Sequence, residues 1–118
     1  MKKHPKPIKE LLREFRIKAY ERELHRALTK LDTSFDQWRN GEISSGELSH
    51  RIHQYDRGPL YELLERYNRG SQDMSVAYAI VVGILERDEI PPELLTAIEG
   101  PLDLFQSMKD SGELKEPE

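Results

Sequence analysis

The sequence predicts an all-α protein, a single compact, bundle-like domain of five to seven helices with a long N-terminal helix. Three observations carry that prediction. From Ile8 to Leu31 there is neither glycine nor proline, so nothing breaks a helix across the span. Apolar residues recur there and further along at spacings of three and four, the period of one helix face. Residues 72–87 hold the only β-branched run that would suit a strand, and no second strand candidate exists to pair with it.

The elements follow in order. Residues 1–6 read as a flexible N-terminus, and Pro7 stands where a helix starts easily. Residues 7–32 form the long helix, and residues 33–109 a helical body within the same domain. Asn40-Gly41 stops the segment around Phe35 and Trp38, both expected as core anchors. Ser44 then offers an N-cap, with Glu47 three residues on to complete a capping box. Leu48, Ile52 and Tyr55 give the next helix one apolar face. Gly58-Pro59 breaks it, after which Leu60, Leu63, Leu64 and Tyr67 continue the pattern to Gly70.

Residues 72–87 are apolar almost all round, as a central buried helix should be. Pro91-Pro92 opens a helix carrying Leu94, Leu95 and Ile98, and Gly100-Pro101 is expected to interrupt it before Leu102, Leu104, Phe105 and Met108. The acidic tail, 110–118, reads as disordered.

Composition narrows the function classes. With no cysteine among 118 residues, disulfides, thiolate catalysis and cysteine-bound zinc are excluded. The N-terminus runs into charges rather than an apolar stretch, so no signal peptide is expected. The longest mostly apolar run, 76–85, is about half a membrane span. A soluble cytoplasmic protein without a membrane partner is the expectation. Net charge is −4, unevenly placed: residues 1–31 hold ten Lys/Arg against four Glu, and residues 32–118 eight against eighteen Asp/Glu. A basic arm on an acidic body serves nucleic acid, or it lies on an acidic surface of its own chain or a neighbour's. The overall acidity favours the latter.

The long helix is the most informative element. At about 100° per residue, Ile8, Leu11, Leu12, Phe15 and Ala19 share one face. Ile17, Tyr20, Leu24, Ala27, Leu28 and Leu31 share nearly the opposite one, so the apolar stripe changes sides near residue 19. Residues 20–31 are expected to pack on the body. The stripe Ile8, Leu11, Leu12, Phe15 and Ala19 would then be a partner interface, for self-association as a dimer or for another protein. Where that stripe would have continued stand Lys18, Arg22, Arg26 and Lys30, a basic ladder that offers anion contacts and, as the alternative function, nucleic-acid binding.

Other motifs carry less. The stretch from Asp36 to Glu47 resembles an EF-hand calcium loop, with Asp36 at position 1, Asn40 at 5, Gly41 at 6, Ser44 at 9 and Glu47 at 12. Trp38 stands at position 3, where an oxygen ligand belongs, and no second loop accompanies it; weak calcium binding is the third reading. Glu47-x-x-His50 is a lone step of a kind that di-iron bundles need twice. His50 and His53 lie off the apolar face, and His25 sits beside the basic ladder. No nucleophile elbow or phosphate loop is present. The expectation is a non-enzymatic association protein with no catalytic, cofactor or metal residues.

Overall fold

The computed structural model describes residues 4–117 and builds them from six α-helices, with no strand among them. They are α1 (Lys6–Arg39), α2 (Ser45–Arg57), α3 (Pro59–Asn68), α4 (Gln72–Val81), α5 (Pro92–Ala97) and α6 (Glu99–Asp110), with a 3-10 turn at Arg87–Glu89. The all-α expectation holds, and α1 is the long N-terminal helix it called for. By its internal contacts the chain divides into two compact units: residues 1–19 with 70–118, and residues 20–69. The boundary falls inside α1, at the position where its apolar stripe changes face.

The first unit is built on α4. Seven of its ten residues are buried, Ser75 to Val81. An element apolar all round must be covered; α6 packs against it, and Leu12, Phe15, Ala19, Leu94, Ile98 and Leu102 of α1, α5 and α6 are buried in the same unit. Tyr78 meets Phe105 edge-on at 5.8 Å, and Lys109 of α6 donates to the Val81 carbonyl at 3.2 Å, a cation on the last carbonyls of α4. The helix ends at Val81, not at residue 87, because Gly83 adopts a left-handed conformation (φ 84°). Residues 86–89 then form a capping box of their own, with Glu86 N–H donating to Glu89 Oε2 at 2.8 Å.

The interruption near Gly100-Pro101 falls two residues earlier, at Ile98. Pro101 lies in the first turn of α6, where a backbone N–H has no helical partner to lose.

Three residues of the basic arm find partners within this unit. His4 Nε2 lies 2.6 Å from Asp73 Oδ2, Arg16 donates to Gln72 at 2.9 Å, and Lys18 pairs with Glu89 at 3.4 Å. Of the expected flexible N-terminus, residues 1–3 lie outside the described residues, and α1 is under way by Lys6. Asp110 closes α6, and the tail beyond it is tethered: Tyr78 donates its hydroxyl to the Lys115 carbonyl at 2.8 Å, and Lys109 pairs with Glu116 at 3.6 Å. Residue 118 lies outside the described residues.

The second unit is α1 from Tyr20 onward, α2 and α3. Its corner is the Asp36–Glu47 stretch. Gly41, at φ 75°, lets the N–H groups of Gly41 and Glu42 reach back to the carbonyls of Trp38 and Gln37 at 3.1 and 2.8 Å. That is the Schellman termination of a helix. Ser44 caps α2, accepting from Glu47 N–H at 3.0 Å. Arg51 of α2 laces the corner to α1, donating to Ser34 at 3.2 Å and Gln37 at 2.6 Å.

The units differ sharply in core. Among the described residues, the first has fourteen buried apolar residues; the second has four, Leu31, Leu48, Leu63 and Tyr67. The second also leaves five large apolar side chains exposed, Leu28, Trp38, Ile52, Tyr61 and Leu64. Trp38, expected as a core anchor, is 40% exposed, its indole N–H donating to Ser45 Oγ at 3.0 Å. It stands in the last turn of α1, beyond the reach of so small a core.

Two substitutions test this division. Leu12→Ala should cost about 2–5 kcal/mol, as for a closed core position. Leu28→Ala, half exposed, should stay within about 0.5 kcal/mol. Urea unfolding of both variants checks the ranking, and equal losses would contradict it.

Candidate association surface

Within the second unit, the one charged side chain buried on α1 is Glu23, 5% exposed. A buried carboxylate needs partners to offset its desolvation. Arg66 of α3 donates to both its oxygens, at 3.3 and 3.2 Å, and the Tyr67 hydroxyl donates to Oε2. This network fastens α1 to α3. The arrangement follows from spacing, since Arg66 and Tyr67 are neighbours in the last turn of α3 and Glu23 sits one turn beyond Tyr20 on α1. Tyr20 in turn packs on the Tyr67 ring, with centroids 5.7 Å apart.

Tyr20 is also one wall of a groove. Leu24 joins it from α1, Asp56 and Arg57 come from the end of α2, and Leu60, Tyr61 and Leu64 come from α3. The groove encloses about 590 Å³. Three of its seven residues are aliphatic and two are tyrosines, and the charged pair lies on the end of α2. Tyr61 and Leu64 are 48% and 39% exposed, and Leu28, one turn past Leu24 on the same face of α1, is 49% exposed. The groove is therefore lined by apolar side chains together with one acid and one base. Among the described residues, neither Asp56 nor Arg57 is engaged in an ion pair. The Tyr61 hydroxyl is hydrogen-bonded to Glu65, whose carboxylate also acts through its charge; together they raise the phenol above its ordinary value of 10.0.

The residues that sequence nominates fall elsewhere. Leu12, Phe15 and Ala19 are core of the first unit, and Ile8 and Leu11 are half-buried. The expected interface stripe is thus spent inside the chain, because α4 needs cover on all sides. The ladder Lys18, Arg22, Arg26 and Lys30 is exposed, and Lys18 is paired with Glu89. In the loop that resembles an EF-hand, Asp36 is bound by Arg39 at 2.5 Å and Glu47 by Arg51 at 3.1 Å, so arginines hold both carboxylates. Among the described residues, no three His, Asp or Glu side chains are grouped to hold a metal ion. His50 and His53 are exposed on α2.

Sequence reasoning missed Asp56, Arg57, Leu60, Tyr61 and Leu64 as a site. No spacing in the sequence links them to Leu24, because they come from two helices on either side of the Gly58-Pro59 break.

Two measurements test the site's construction. Glu23→Leu strands a buried hydroxyl and should cost about 1–3 kcal/mol, while Tyr67→Phe should cost about 0.5–1.5. The double variant should cost less than the sum of the two, by urea unfolding, because each single change disturbs the same bond. Ultraviolet titration should find Tyr61 ionising above the usual tyrosine range and falling toward it in Glu65→Gln; an unmoved titration would contradict the Glu65 contact. Neither a protein-family model, nor a curated protein, nor a solved structure matches this chain.

Proposed function

We propose that the protein is a non-enzymatic, cytoplasmic association module, and that it binds another polypeptide through the open face of the second unit. One observation carries this reading: residues 20–69 expose more large apolar side chains than they bury, five against four. A segment of 50 residues with so small a core is marginal alone, and covering an exposed apolar face is what association supplies. Interfaces favour tyrosine and an apolar centre with charge at the rim, the composition found around Tyr61.

The non-enzymatic half of the reading rests on the absence of any catalytic motif in the sequence. Among the described residues, no helix is long and apolar enough to cross a membrane. Nucleic-acid binding through the basic ladder has less support, since Lys18 is paired and the three remaining cations are accompanied on α1 by Glu21 and Glu23.

Leu28→Asp/Leu64→Asp should keep the fold, because both side chains already meet solvent. Photo-cross-linking in cells from benzoylphenylalanine placed at Tyr61 should give a discrete protein adduct. The adduct should vanish in the double variant, and the same probe at the exposed Glu93 of α5 should give none. No adduct at Tyr61, or one indifferent to the double variant, would contradict the proposal.

A further inference from the structure

We infer that the polypeptide seated on this face is a second copy of the same chain, related by a two-fold axis that brings Asp56 of each copy to Arg57 of the other. The inference rests on the association reading above and adds the identity of the partner. A two-fold contact joins a patch to itself, so the patch must be self-complementary in shape and in charge.

Three features of the second unit meet that requirement. Its charges nearly balance, eight Lys/Arg against nine Asp/Glu over residues 20–69, so two copies approach without a strong opposing field. A strongly acidic or strongly basic foreign partner would find no matching field there. The groove is flanked by one acid and one base at adjacent positions, and neither has an ion-pair partner among the described residues. Adjacent opposite charges beside a dyad give two reciprocal pairs, Asp56 to Arg57 and Arg57 to Asp56. Finally, the apolar material is of one kind throughout, with Leu24, Leu28, Leu60 and Leu64 around Tyr61. Leucines from one copy then fill the groove of the other, and the four-residue core of each unit becomes part of a shared one.

The pairing also gives the two charges that line the groove a role: they set register and exclude wrong partners, and the apolar side chains supply the affinity.

Sedimentation equilibrium of the purified full chain, from micromolar to millimolar concentration, tests the inference. Wild type should move from the 13.8 kDa chain mass toward twice that value. Asp56→Arg and Arg57→Asp should each weaken the dimer by about tenfold or more, since each sets like charges face to face. The double swap, Asp56→Arg/Arg57→Asp, should recover it, and a mixture of the two single variants should form mixed dimers more tightly than either alone. Asp56→Asn and Arg57→Gln provide gentler versions should a single reversal unfold the chain.

A wild type that stays monomeric to millimolar concentration would overturn the inference, as would a double swap no better than its parents. If a monomeric wild type still gave a foreign adduct at Tyr61, dependent on Leu28 and Leu64, the second copy would be excluded and the association reading would stand.

Discussion

One helix carries two apolar stripes, and no side of a helix can face two ways. That constraint on α1 governs the molecule. Up to Ala19 the helix turns Leu12, Phe15 and Ala19 into the core of the unit that holds α4, an element so apolar that it requires cover. From Tyr20 the stripe continues on other positions of the helix, and residues 20–69 form a second, smaller unit with α2 and α3. The first unit is well supplied with apolar residues. The second is not, and its shortage is the physical origin of the open face.

The shortage is managed by polar devices. Glu23 with Arg66 and Tyr67, Arg51 with Ser34 and Gln37, and the Gly41 termination with its Ser44 cap all secure the second unit without adding apolar burial. Buried ion pairs contribute little net stability beside a hydrophobic alternative, but they are exacting about geometry. The Glu23 network holds Tyr67 where Tyr20 can pack on it, and Tyr20 is a wall of the groove. A loose core with a fixed wall suits a surface meant to be met by something else. In the first unit His4, Arg16 and Lys18 of the basic arm meet Asp73, Gln72 and Glu89.

Much of this was legible in the sequence, for local reasons. Helical period, Gly58-Pro59, Asn40-Gly41 and the Ser44 cap placed α2 and α3 closely, because caps and breakers act within a few residues. The change of stripe near residue 19 was legible too. Which stripe would be covered was not. Sequence reasoning assigned Leu12 and Phe15 to an interface and Leu24 and Leu28 to the body; the structure buries the former and leaves Leu28 open. That choice depends on how much apolar surface the rest of the chain brings to each half, a sum over distant segments that periodicity cannot weigh. Trp38 failed for the same reason, as a large apolar residue beside a core too small to receive it. The groove was invisible because Asp56, Arg57 and Tyr61 come from two helices flanking a break, and no spacing rule links them to Leu24.

If the second unit borrows its core from a neighbouring copy, its stability must depend on concentration while that of the first unit does not. Amide hydrogen exchange across a hundredfold range of protein concentration reads both units in one sample. Protection in α3, around Leu63 and Tyr67, should rise with concentration, and protection in α4 should stay constant. Exchange in α3 that is the same at every concentration would contradict the account.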